Sequence, residues 1–385
     1  MSRVFFLIAL AWSSSSFAVS QWPTWLGEDL QPLKSSHWQA KTSRDGVEFM
    51  PMESIPKILV IVSRQAISYD IALKTLLGIY SRELPQAHIM VRKLPAAEDS
   101  DDTQQLLIQM LLDAEDKTSL IYTVGSKATV AVRHIYKGGK VPVVSVNAKD
   151  PVQLGLIESD QGSGDNFAFT SLNLSADVTL TFMKRFKPSL KQIGILYAKN
   201  NQSAYTTQYL PLKKVAEKNG VKIVPIIVDE EDPFLGLDVS MRRAIHELQQ
   251  DDPTLGNSLL WLTGSSSLLS RMAEINAYSD GLAVISAVPD VVKSGPDSAL
   301  MSFGVSFVNN AHQAGLYGLQ ILRGKVKPGE LPVGHISPPD IAVSFEQAQR
   351  IGQQIPFVLM EMASDVYGTN GSVIRSKGKS MQEQQ

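Results

Sequence analysis

The most legible chemistry in this sequence lies at a strand-to-helix junction. Gly125 and Ser126 follow the apolar run 119–124 (SLIYTV) and open a helical pattern that continues to Ile135. A glycine and a serine at that point leave backbone N–H groups unpaired, and the helix dipole favours an anion such as a ligand carboxylate in front of them. The same serine would equally serve as an ordinary helix cap. Arg64 and Lys127 would add positive charge, although a lysine on a first helical turn is more simply a solvated one. Tyr69 and Tyr197 are of a type that stacks on a ring or covers a cleft, and half-burial alone would also account for them. Asp150 stands before Pro151, where it caps its own turn. Residues 264–267 (GSSS) have the composition of a small-anion cradle and equally that of a serine-rich helix start.

These side chains matter only if the surrounding elements bring them together. Apolar runs at 57–62 (KILVIV), 87–94, 119–124 and 141–146 read as buried strands, and they alternate with helical patterns at 71–83, 103–114 and 125–135. That alternation predicts a parallel, doubly wound sheet. Residues 141–171 then read as strand, polar tip, Asp150-Pro151 turn, glycine-rich loop (161–166) and second apolar run. They mark the chain leaving one compact unit and entering another. The pattern repeats beyond them, with strands at 192–197, 221–228, 258–262 and 283–287 and helices at 176–186, 206–219, 238–249 and 264–277. Residues 299–303 are expected to cross back. The helix at 309–322 carries a spine of Ala311, Ala314, Gly315 and Gly318 that suits close helix packing. Strand 341–345 and helix 346–352 complete the pattern.

The expected division is a signal segment (1–18), an N-terminal arm (19–55), lobe 1 (56–168 with 299–330), lobe 2 (169–298 with 331–362) and a polar, flexible tail (363–385). In open parallel sheets, ligands bind beyond the carboxyl ends of the strands. That rule selects Ser63, Arg64, Ser68, Tyr69, Gly125, Ser126, Lys127, Asn147 and Asp150 from lobe 1. From lobe 2 it selects Tyr197, Asn200, Asn201, Ser203, Thr263, Ser265, Ser266, Pro289 and Asp290.

Composition narrows the function classes. With 385 residues, 44% hydrophobic and 19% charged, the chain has room for two full cores. A net charge of −2 with scattered Lys and Arg gives no footprint for nucleic acid or an anionic membrane. Arg3, the apolar run 4–12 and the small residues ending Ser16-Phe17-Ala18 describe a secretory signal peptide cleaved near Ala18. About 9 apolar residues are too few for a bilayer that needs about 20. There is no cysteine, hence no disulfide and no lipid-modified cysteine after the signal, so a soluble periplasmic protein is expected. The six histidines (37, 88, 134, 246, 312 and 335) show no metal-ligand spacing, and there is no Gly-x-Ser-x-Gly elbow or complete phosphate-binding loop. No catalysis, metal or cofactor is expected.

Four stretches in order carry a family resemblance: DPVQLGLIES at 150–159 with Asn166 and Thr170 beyond its glycine loop, IGILYAKNNQS at 193–203, GLQILRGKVKPGELPV at 318–333 and AVSFEQAQRIGQQIP at 342–356. Together they make the chain resemble the ABC-transporter substrate-binding proteins of the tryptophan/tyrosine type. The resemblance implies a type I periplasmic-binding-protein-like fold: two doubly wound αβα lobes joined by a three-crossover hinge. It also implies capture of a small organic ligand, an amino acid among the candidates, and delivery to an ABC permease. The alternative is a periplasmic sensory or accessory module acting on a membrane-bound partner. Three departures from the family pattern bear on the ligand. Leu154 precedes Gly155, Phe167-Ala168-Phe169-Thr170 follows Asn166, and the loop 198–203 (AKNNQS) lacks the Glu and Pro of the family loop that helps to hold an amino group.

Overall fold

Aliphatic runs apolar on both faces form parallel strands covered by helices on each side. The computed structural model describes residues 22–31, 38–43, 45–51, 56–95 and 100–381, so the signal segment lies outside the described residues. The first sheet contains β1 (Gln39–Ser43), β2 (Gly46–Met50), β3 (Lys57–Val62), β4 (His88–Lys93), β5 (Leu120–Val124), β6 (Val143–Val146) and β7 (Phe167–Ala168). Their order is β1-β2-β4-β3-β5-β6-β7. Strands β3 to β7 are parallel, with Val60 beside both Val91 and Tyr122. Helices α1 (Ile67–Glu83), α2 (Ser100–Glu115) and α3 (Gly125–Tyr136) make the crossovers. The N-terminal arm is a packing extension of this sheet. It adds β1 and β2 antiparallel to β4 and sends Leu26, Leu30, Trp38 and Phe49 into the core.

The second unit runs through α4 (Ala176–Phe186), β8 (Gln192–Ala198), α5 (Gln202–Ala204), a π turn (Tyr205–Tyr209), α6 (Leu210–Lys218), β9 (Lys222–Val228), α7 (Leu237–Asp251) and β10 (Ser258–Leu262). It continues through α8 (Ser266–Leu269), α9 (Met272–Ala277), β11 (Val284–Ser286) and β12 (Met301–Gly304). After α10 (Phe307–Leu322) come β13 (Asp340–Ser344), α11 (Phe345–Arg350), α12 (Phe357–Met362), β14 (Asp365–Tyr367), β15 (Val373–Ser376) and β16 (Lys379–Ser380). The sheet order is β16-β15-β14-β13-β12-β11-β10-β8-β9.

Two expectations change here. Residues 299–303 do not cross back. They lead into β12, which pairs with β11 and β13 inside the second sheet, so the crossing falls after Gly304. Residues 365–380 are not a loose tail either. Val366 is buried in β14, which pairs with β13, and Arg375 Nη1 donates to the carbonyls of Met360 (3.1 Å) and Ala363 (2.9 Å). Polar composition hid short strands whose partners lie far away in the chain. The chain thus passes between the units three times: after β7, between β12 and α10, and between residue 334 and β13.

Helix α10 returns to the first unit and packs on α1 and β6. Its small-residue spine is the contact: a methyl group on Gly315 would collide with Ile79, and one on Gly318 with the hydroxyls of Tyr122 and Tyr80. Those hydroxyls lie 2.7 Å apart, and Tyr122 also donates to the Ala314 carbonyl at 3.2 Å. Gly318→Ala gains about 1 kcal/mol of helix propensity but overpacks a buried tyrosine pair, which typically costs 1–3 kcal/mol. A net loss of about 2 kcal/mol is expected in a denaturant titration. An unchanged midpoint would show slack in this contact.

Candidate functional site

The tips of both sheets converge on a cavity of about 800 Å³. From the first unit, the start of α1 brings Arg64, Ser68 and Tyr69, the first turn of α3 brings Ser126 and Lys127, and the tip after β6 brings Asn147 and Lys149. From the second, the loop after β8 and α5 bring Asn200, Asn201, Gln202 and Ser203, and the tip after β10 brings Gly264, Ser266 and Ser267. Leu172 and Phe307 line it from two of the three crossings.

Local chemistry explains how the first-unit wall is held. Gly125 adopts φ +80°, and a methyl group there would collide with the Tyr69 ring, so the glycine lets that ring lie against the start of α3. Asn147 is left-handed at φ 49°; its backbone N–H donates to Asn310 Oδ1 (2.8 Å) and its Nδ2 to the Ser68 carbonyl (2.7 Å). One asparagine therefore ties β6, α1 and α10 together at the edge of the cavity. The second-unit wall depends on the π turn, which aims Gln208 at the backbone N–H of Gly264 (2.8 Å) and offers the Thr207 carbonyl to Asn173 Nδ2 (2.8 Å). Asn173 Oδ1 in turn accepts from the Asp150 N–H at 3.0 Å, joining the two walls through the crossing segment.

Lys149 dominates the electrostatics. The residue is only 6% exposed, its N–H donates to Ser126 Oγ at 2.9 Å, and its Nζ lies against Gly264, where a methyl group would collide with it. Its Nζ pairs with no carboxylate and makes no hydrogen bond among the described residues. Burial without a counter-charge pushes its pKa down to about 7. Arg64 and Lys127 share the lining, and no Asp or Glu does.

The remaining sequence candidates sit elsewhere. Ser63 ends β3 with its hydroxyl buried and unpartnered among the described residues, away from the lining. Asp150 is buried and accepts from Gln153 N–H (2.9 Å), which makes it the cap of its own turn. Tyr197 is buried in a cluster with Tyr205 and Tyr209, ring centroids 5.6 and 4.7 Å away, and burial pushes its pKa up to about 12. Thr263 Oγ1 donates to the Leu196 carbonyl (2.9 Å), and Ser265 Oγ accepts from Ala198 N–H (3.3 Å), so both brace the second-unit tip from beneath. Pro289 and Asp290 lie at the hinge, where Asp290 Oδ2 accepts from Phe307 N–H at the start of α10 (3.1 Å); burial pushes this carboxyl up to about 6. Asp150, Asp160 and His335 also bring possible ligand atoms within 4.8 Å of one another, outside the cavity lining. There Asp160 and His335 form a 3.3 Å ion pair.

Two αβα units sharing a tip-lined cleft and three crossings define a two-lobed binding fold. A family model described as ABC transporter substrate binding protein matches residues 89–367. The chain belongs to that family. Among its relatives is the tyrosine-binding protein of Clostridioides difficile (strain R20291), 24% identical over 262 residues, which are 67% of this chain and 69% of that protein. A conserved domain protein from Vibrio cholerae superposes with TM-score 0.61 at 18% identity, over 80% of this chain and 99% of that one. A Streptococcus pneumonia domain in complex with L-Trp gives TM-score 0.60 at 17% identity, over 81% and 100%. This substrate-binding protein therefore has the type I periplasmic-binding-protein-like fold that its sequence resemblance implies, and its role is to bind a solute.

The tip rule did not select Lys149, Gln202, Thr206, Gly264, Ser267 or Phe307 in the lining of this binding protein. For Lys149 one signal was present: it immediately precedes Asp150-Pro151, at the carboxyl end of a parallel strand.

Proposed function

We propose that this substrate-binding protein captures a small organic solute between its lobes and delivers it to the permease of an ABC transporter. Lobe 1 would comprise residues 39–168 with α10, and lobe 2 residues 176–304 with β13 to β16. The observation that carries the reading is the cavity of about 800 Å³ lined by the tips of both lobes. A ligand that touches both lobes stabilises the closed arrangement over the open one, and closure can then be read by a membrane partner. The residue pattern at 1–18 places the mature chain in the periplasm, and no helix among the described residues is long and apolar enough to cross a membrane. The printed ligands of two similar proteins, tyrosine and L-Trp, suggest a solute of that size. The proposed role is binding without turnover.

The test is a thermal-shift screen of the purified protein across amino acids and small organic acids, since a ligand of the native state raises its melting temperature. Ser126→Trp would project an indole into the cavity beside Lys149. It is expected to abolish the ligand-induced shift while the unliganded melting temperature stays close to wild type. A full shift in that variant would place the binding site elsewhere.

A further inference from the structure

We infer that the ligand is a small organic carboxylate that carries no ammonium group, with an apolar or aromatic body. This rests on the reading of the cavity as the solute site and names the class of solute. Three observations carry it. First, Lys149 is more than nine-tenths buried, has no counter-charge among the described residues and lines the cavity. A buried cation without a partner is costly, and a carboxylate arriving from solution supplies both the missing charge and the hydrogen-bond acceptor.

Second, the other ionisable residues of the lining, Arg64 and Lys127, are also basic. A free amino acid would bring its ammonium into a wall that holds three cationic side chains and no carboxylate to receive it. Closure would then desolvate a fourth positive charge without compensation. The residues 198–203 (AKNNQS), where the resemblance leads one to expect a glutamate, contain none, and Asn200, Asn201, Gln202 and Ser203 line the cavity from there as neutral groups. Third, the walls are otherwise apolar where the ligand body would lie: Val130, Ala131 and Leu154 on lobe 1, and Leu172 and Phe307 at the hinge. A carboxylate head on Lys149 and an aryl or alkyl body against these side chains fits a site of this size.

The test uses matched pairs differing only in the amino group, titrated calorimetrically into the full mature chain: 3-phenylpropanoate against L-phenylalanine, and 3-(indol-3-yl)propanoate against L-tryptophan. The neutral amide 3-phenylpropanamide reports the need for charge. At least one deaminated acid is expected to bind 10-fold or more tightly than its amino-acid counterpart, and the amide to bind at least 10-fold more weakly than its acid. Tighter binding of the amino acid in both pairs would overturn the inference about ligand class while leaving the cleft as the binding site. Equal binding of acid and amide would remove the role given to Lys149. If no compound binds, the ligand class and the reading of the cavity fall together.

Discussion

A Lys149→Met variant is expected to bind its ligand at least 100-fold more weakly and, at the same time, to be more stable than the wild type when unliganded. The two effects share one cause. The folded chain buries this ammonium with no counter-charge among the described residues, and the cost appears as a pKa pushed from its ordinary value down to about 7. Methionine fills a similar volume without the charge, and replacing buried charges with apolar groups of like size commonly stabilises by about 1–4 kcal/mol. Truncating one partner of a desolvated charge pair costs about 2–5 kcal/mol of binding, which is where the 100-fold comes from. The pH dependence follows in sign. Between about pH 7 and the ordinary lysine range the unfolded chain holds a proton that the folded chain has lost, so stability rises with pH across that window. Lys149→Met removes this rise. Affinity for an anion runs the other way: it is flat below pH 7, where the lysine is charged, and falls above it by up to about tenfold per unit. Calorimetry at pH 6, 7.5 and 9 with melting curves at the same values checks all of this. A variant that melts lower than wild type, or keeps wild-type affinity, contradicts the assignment.

The architecture was legible because it is written in local periodicity. The alternation of apolar runs with helical patterns survives in every strand from β3 to β6 and from β8 to β11. The cleft was legible in part, since the carboxyl-end rule finds strand tips and not the directions of side chains. Tyr197 shows the difference. It stands near the end of β8, but strand alternation turns it to the face covered by the π turn, while Leu196 and Ala198 face the core beneath α7. Asp290 fails for another reason: β11 ends at Ser286, and the chain has already reached the hinge by 289. Lys149 was passed over because a single lysine in a polar tip looks like any solvated charge. Its burial comes from Gly264 and Gln208, which belong to the other lobe and lie more than fifty residues away in the chain.

Arg133 was hidden in the same way, and it carries the largest stability effect expected in lobe 1. It sits in the last turn of α3, where sequence alone suggests an exposed polar position. Instead it is 4% exposed. Its Nη1 meets Asp165 Oδ1 at 2.7 Å, its Nε donates to the Leu156 carbonyl at 3.2 Å, and its guanidinium lies 4.8 Å from the centre of the Phe167 ring. Burial alone would push the Asp165 carboxyl up, but hydrogen bonds from Arg133 and Ser163 hold it below its ordinary value. Its contribution is therefore present at neutral pH and lost as the solution is acidified through that lowered pKa. Arg133→Met leaves this carboxylate in place without its cation. Breaking a buried pair from one side costs about 3–5 kcal/mol, and the lower end applies because Asp165 keeps some contact with water. About 3 kcal/mol is expected in denaturant titrations at pH 7, shrinking toward pH 3 as wild type loses the same interaction. Adding Asp165→Asn should recover much of the loss, because the stranded charge is gone; strictly additive single effects would mean that the two side chains do not act as a pair. Neither residue lines the cavity, while the loop they fix meets the chain at Gly329 through Gly164 N–H (3.0 Å) on its way to the first crossing. Ligand affinity of the folded Arg133→Met protein should therefore match wild type, which separates the residue that holds the hinge from the lysine that holds the ligand.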